Sequence, residues 1–170
     1  MNDSPAQSKM SPLATAALMA RRDAGTSLSA MSQILLLLFG VLALAVSAYI
    51  KLPFYPVPLT LQTLVVMIIG MSYGMRLGGL TILSYLCVGA LGAPVFAGGA
   101  GIVYFAGPTG GYLIGFFVAA IVLGYLAERG WSHSILTTAL SMFLGTAIIY
   151  AIGLTWLAQL IGFQKAITFG

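Results

Sequence analysis

Apolar residues run in long blocks along this 170-residue chain, and few polar positions separate them. The first block extends from Ile34 to Ile50 and ends at Lys51-Leu52-Pro53, which predicts a helix over about 32–50. Pro53-Phe54-Tyr55-Pro56-Val57-Pro58 places three prolines in six residues. Such a run cannot continue a helix, because each proline lacks an N–H and has a fixed φ. It reads as a rigid extended loop. Pro58 suits the first position of a new helix, where the missing N–H costs nothing, so a second helix is expected over 58–73. Gly74-Met75-Arg76-Leu77-Gly78 reads as a tight turn, followed by a third helix over 77–92. A fourth is expected over 110–127, a polar turn at Glu128-Arg129-Gly130-Trp131-Ser132-His133, and a fifth over much of 134–160. Residues 1–31 are small and polar and have no sustained apolar face. They are expected to be a disordered or loosely helical tail, leaving 32–170 as the helical domain.

Composition decides where these helices reside. Charged residues make up 6% of the chain and hydrophobic ones 60%, with a mean hydropathy of +1.05, against roughly 25% charged residues in a soluble domain. A soluble enzyme is excluded, since its surface would be one apolar patch. Residues 77–127 carry no charge at all. One spanning helix needs about 20 residues, so that stretch holds two passes and a connection. The fold class is therefore an all-α integral membrane protein with five transmembrane helices. A cleaved signal peptide is the alternative for the first block, given Arg21-Arg22 before it and Ala43-Leu44-Ala45 within it. Its 17 apolar residues exceed the usual signal core of about 7–15, however.

Scarcity of charge also limits the chemistry. Asp and Glu total three, His133 is the one histidine and Cys87 the one cysteine. Paired carboxylates, proton relays, metal cages and disulfides have no raw material, so no metal, no cofactor and no enzymatic activity is expected. Cys87 reads as an inert core thiol and His133 as a solvated loop residue. The net charge of +4 needs no nucleic acid, because basic residues flank spans for topological reasons. With the N-terminus in the cytoplasm, Lys9, Arg21, Arg22, Arg76 and Arg129 lie inside, and Lys51 and Lys165 outside. This orientation puts the chain in the cell (inner) membrane as a multi-pass protein. Both connections rich in proline and glycine, 51–59 and 93–110, then face outward.

Residues 93–111 contain six glycines and two prolines, yet also Val95, Phe96, Ile102, Val103, Tyr104 and Phe105. Irregular backbone with that apolar content is tolerated near the bilayer only when packed in protein or lining a cavity. An outward-opening ligand cavity and a lid that merely packs on the helices both fit. Pro108-Thr109-Gly110-Gly111-Tyr112 starts a helix, with Thr109 as N-cap and glycines that let a ligand reach backbone N–H groups; glycine for helix packing is the bland alternative. Thr60 and Gln62 open the second helix, and a buried Gln amide suits a neutral urea-like group or a neighbouring helix equally. Phe54, Tyr55, Phe96, Tyr104, Phe105 and Tyr112 either wall a ligand or form an interfacial belt. Ala43 and Ser47 put small residues on one face of the first helix, for a helix of this chain or of a partner.

Three stretches together carry a resemblance: Val57-Pro58-Leu59-Thr60-Leu61-Gln62-Thr63-Leu64, Gly92-Ala93-Pro94-Val95-Phe96-Ala97-Gly98-Gly99, and Gly107-Pro108-Thr109-Gly110-Gly111-Tyr112-Leu113-Ile114-Gly115. In this order and spacing they resemble the BioY family, the biotin-binding S components of energy-coupling-factor (ECF) transporters. The resemblance spans about 32–170. It implies a six-helix S component that binds biotin near the outer face, under the loops after helices 1 and 3. It also implies a transmembrane coupling protein and two cytoplasmic ATPase subunits as partners, unless the protein works alone, with membrane lipid around it and no nucleic acid. Thr60, Gln62, Phe96, Gly98, Gly99, Thr109, Gly110 and Tyr112 are then the expected substrate contacts, and Ala43 and Ser47 the contacts to the coupling protein. Family chains continue past the stretch matching 164–170 with a Pro-Gly-Asp…Lys segment, whose Asp and Lys contact the ureido group, and a sixth helix. This sequence ends at Gly170, so the expectation is a C-terminally incomplete chain with weakened or lost affinity. An S component for another small vitamin and a non-functional remnant are the alternatives.

Overall fold

The structure, a computed structural model, describes residues 29–52 and 57–164. Residues 1–28 of the expected N-terminal tail, Phe54, Tyr55 and residues 165–170 lie outside them, while Ala30 and Met31 belong to the first helix. The chain divides at Gln33 into two units, and the packing below belongs to residues 34–170. Four helices are long and apolar enough to cross a membrane among the described residues. α1 is Ala30–Tyr49, α2 Gln62–Ala90, α3 Gly110–Leu126 and α4 Ile135–Ile161. Between α1 and α2, strands β1 (Lys51–Leu52) and β2 (Leu59–Thr60) pair antiparallel, Lys51 opposite Thr60. A 3₁₀ turn, Ile102–Ala106, precedes α3, and a π turn, Ala127–Trp131, follows it.

α2 is two spans joined at one residue. Gly74 has φ 77° and ψ 177°, a conformation that glycine alone adopts cheaply, and the helix reverses there. The amide of Gln62 bonds Tyr85 at 2.7 Å, although 23 residues of straight helix would span roughly 35 Å. Five helical arms thus stand where five helices were expected, the turn being one residue long rather than five. Helix bounds shift for local reasons. The second helix begins at Gln62, not Pro58, because Leu59 and Thr60 are held in the ribbon and Leu61 N–H bonds Ile50 at 3.0 Å. Cys87 is exposed on the second arm of α2, which corrects the expectation of a core thiol; His133 is exposed as expected.

Helices approach through glycines. A Cβ on Gly115 would lie 3.0 Å from the backbone of Ile149, and one on Gly111 2.3 Å from Trp156. This seats α3 on α4. On the opposite side, Cβ atoms on Gly70 and Gly124 would meet Ala120 O at 3.1 Å and Met75 N at 2.4 Å, which seats α3 on both arms of α2. Lipid offers no hydrophobic force between helices, so close van der Waals approach at small residues replaces it. The outer residues Leu38, Phe39, Leu42, Ile135, Leu136 and Phe143 remain exposed, as lipid-facing side chains should. Buried hydroxyls bond back along their own helices: Ser47 to Leu44 O at 2.9 Å, Thr81 to Leu77 O at 2.8 Å and Ser141 to Thr137 O at 2.8 Å. No partner across the membrane is needed for them.

Gly40, Leu44, Ser47 and Ala48 are the buried face of α1. A Cβ on Gly40 would meet Thr81 at 2.5 Å, so this small face packs on the chain's own helices. Ser47 is 3% exposed and presents no surface to another protein. Ala43 is half-buried. The glycine contacts generate a paired prediction. Gly124→Ala would place its methyl on the Met75 backbone and should lower the thermal midpoint in detergent, by overpacking of about 1–3 kcal/mol. Gly78→Ala, whose methyl would rest 3.5 Å from Gly70, should leave the midpoint unchanged or raised.

Candidate functional site

The first residue of α2 and the middle of its returning arm meet the loop that follows. Gln62, 3% exposed, donates through Nε2 to Tyr85 Oη at 2.7 Å, and the Tyr85 hydroxyl donates to Val95 O at 2.8 Å. A buried tyrosine hydroxyl needs a partner, and here it ties an amide to a loop carbonyl. Two neighbouring carbonyls are held as well: Tyr49 Oη donates to Pro94 O and Lys51 Nζ to Ala97 O. Side chains from three elements thus hold the backbone of residues 94–97. The loop returns to its own helix through Gly101 N–H to Gly89 O at 2.8 Å.

Phe96 is the loop's apolar anchor, 2% exposed. A Cβ on Gly89 would lie 2.1 Å from Phe96 Cζ, so that glycine is the notch that admits the ring. Tyr104 stacks on Phe96 at 4.9 Å and 17°, while Tyr85 and Phe105 meet it edge-on at 5.4 and 5.6 Å. The four rings form one packed cluster in which Phe96 and Tyr85 are buried and Tyr104 and Phe105 half-buried. Ile102 and Val103 are exposed on the adjoining 3₁₀ turn. Gly98 and Gly99 are exposed at the loop tip, with Tyr104 beneath them.

Thr109 and Gly110 differ from the capping expectation. Thr109 makes no side-chain cap bond and has helical φ/ψ. The Gly110 N–H bonds Gly107 O at 3.1 Å, and its absent side chain admits Phe105 O, which a Cβ would meet at 1.8 Å. Gly110 and Gly111 therefore spend their missing side chains on protein packing. Trp156 Nε1 bonds Gly107 O at 3.0 Å and so fastens the approach to α3 from α4. Tyr112 is 8% exposed, sits edge-on to Tyr150 at 5.9 Å, and its hydroxyl is buried without a hydrogen-bond partner.

The structure thus brings Thr60, Gln62, Phe96, Gly98 and Gly99 to one end of the molecule through the ribbon, Tyr85 and the loop. Tyr112 and Thr109 lie on the α3–α4 side. Tyr85, Lys51 and Trp156 are site residues that sequence reasoning did not single out. The signal for Tyr85 was a hydroxyl within an apolar span, which must find a partner. The arrangement offers amide, phenol and backbone groups for holding a polar molecule beside aromatic rings. It has no His, Cys, Asp or Glu cluster able to hold a metal among the described residues.

Comparisons with known proteins bear on the family and the fold. The family profile of BioY matches residues 14–170. A probable biotin transporter BioY of Pyrococcus horikoshii is 44% identical over 74% of this chain and 74% of its own length. A biotin transporter BioY of Rhizobium etli is 42% identical over 74% of this chain and 73% of its own. The crystal structure of an S-component for biotin from an ECF-type ABC transporter superposes with a TM-score of 0.70 at 22% identity, covering 84% of this chain and 85% of that one. That likeness establishes the helical fold. A profile match from residue 14 onward, joined by relatives above 40% identity, makes this chain a member of the BioY family.

Proposed function

We propose that the chain is the substrate-binding membrane subunit of a biotin uptake system of the ECF type, capturing biotin at the external face rather than transforming it. The observation that carries the reading is the buried Gln62–Tyr85–Val95 relay beneath the aromatic-lined loop. A ureido group is a neutral donor–acceptor, and an amide with a phenol beside it matches both functions. The Phe96, Tyr104 and Phe105 rings suit the apolar ring and chain. The unpartnered Tyr112 hydroxyl supplies a donor on the α3–α4 side beside Thr109, the exposed loop glycines Gly98 and Gly99 contribute contacts at the loop end, and Gly110 acts through packing. The relatives named as biotin transporters support this substrate over another small vitamin.

The charge bias supports an N-terminus on the cytoplasmic side of the inner membrane and a 93–101 loop outside. A coupling protein and cytoplasmic ATPases are the partners such a subunit implies. Of the two small residues expected to meet them, Ala43 has surface left, whereas Ser47 contributes through intrachain packing. Two outcomes check the reading. Tyr85→Phe removes the hydroxyl that joins Gln62 to the loop, and equilibrium binding of labelled biotin should weaken about tenfold, in keeping with a lost buried hydrogen bond of about 1–2 kcal/mol. In a Cys87→Ser background, a membrane-impermeant thiol reagent on intact cells should label Gly98→Cys but not Ser132→Cys. The reverse pattern would overturn the orientation.

A further inference from the structure

Lys51 fastens the loop at Ala97 O, and its charge is not used in the biotin reading above. The cations among the described residues are Lys51, Arg76 and Arg129, and the acid is Glu128. Glu128 is engaged at the Gly74 turn, accepting the Met75 N–H at 2.8 Å. Arg76 adjoins that turn in sequence, and Arg129 lies over the Tyr125 ring at 4.4 Å. Gln62 and Gly74 stand at opposite ends of the first arm of α2, roughly 18 Å apart at helical rise. Lys51 is therefore the cation at the Gln62 end, and no carboxylate among the described residues neutralises it.

Its position is fixed twice. β1 places Lys51 opposite Thr60, two residues before Gln62. Its Nζ also reaches 46 residues along the chain to donate to Ala97 O, beside the buried Phe96. An ammonium has three N–H groups, and the carbonyl takes one. Lys51 is exposed, so its other two N–H groups are open to an acceptor on a ligand.

We propose that Lys51 is the residue that reads the charge of the ligand's carboxylate, donating at once to that acid and to Ala97 O, so that one cation fastens both the ligand and the loop. This rests on the biotin reading. It changes how the acid is recognised: backbone N–H groups donate to a carboxylate or a neutral amide oxygen alike, whereas an ammonium favours the anion, because charge-assisted bonds are about twice as strong as neutral ones.

The test is equilibrium binding of biotin and of its neutral carboxamide to detergent-purified full chain. Wild type should favour biotin about tenfold, the difference between one charge-assisted and one neutral hydrogen bond. Lys51→Gln should lose that preference by weakening biotin alone, and Lys51→Met, which keeps the stem's packing, should do the same. Lys51→Arg should retain the preference. Equal weakening of both ligands in the neutral variants would make Lys51 a loop fastener only and overturn the proposal, as would a wild type indifferent to the charge. A wild type that binds neither compound would instead overturn the biotin reading beneath it.

Discussion

In hydrocarbon, apolar side chains gain nothing by leaving their surroundings, so helices must be held by contacts that lipid cannot imitate. Here that contact is backbone against backbone at the glycines of α3. Gly111 and Gly115 let α4 approach, and Gly124 lets the Gly74 turn of α2 approach within distances a side chain would forbid. Dispersion energy rises steeply as such gaps close. α3 consequently stands at the centre with α2 on one side and α4 on the other, and everything nearer the membrane surface is hung from those two seams.

The loop region depends on this frame in a definite way. The returning arm of α2 must be in register with the first arm for Tyr85 to meet Gln62, and the seam with α3 sets that register. Once Tyr85 is placed, its hydroxyl fixes Val95, and Gly89 leaves the recess that Phe96 fills. Irregular backbone near a bilayer must find its hydrogen bonds in protein. Pro94, Val95, Ala97 and Gly107 each find a side-chain donor, from Tyr49, Tyr85, Lys51 and Trp156. The same donors that make the loop tolerable also tie it to α1, α2, α4 and the ribbon.

Polarity is arranged in keeping with this division. The Gly74 end carries Glu128 against a backbone N–H and Arg129 against an aromatic face, so its charges are spent on local structure. At the loop end the hydrogen-bonding groups are neutral apart from Lys51. Neutral groups cost less to hold near hydrocarbon and can still match a ureido group in both directions. Lys51 is the one cation that the described residues bring to this end.

Much of this was legible in the order of residues. Length of apolar runs and absence of charge determine the membrane class and five spans, since the bilayer imposes a length and a cost that leave few solutions. Three glycine- and proline-rich motifs determine the family. Gln62 and Phe96 were visible because a lone amide and a large ring in such company must be accounted for. Partnership was not legible. That Gly110 and Gly111 pack against protein, that Ser47 is buried, and that Tyr85 and Lys51 close on loop carbonyls all depend on tertiary contacts, which for Tyr85 and Lys51 join residues 10 and 46 positions apart. Local pattern records what each residue is able to do; only the helix seams, set by shape at angstrom scale, decide which neighbour it does it with.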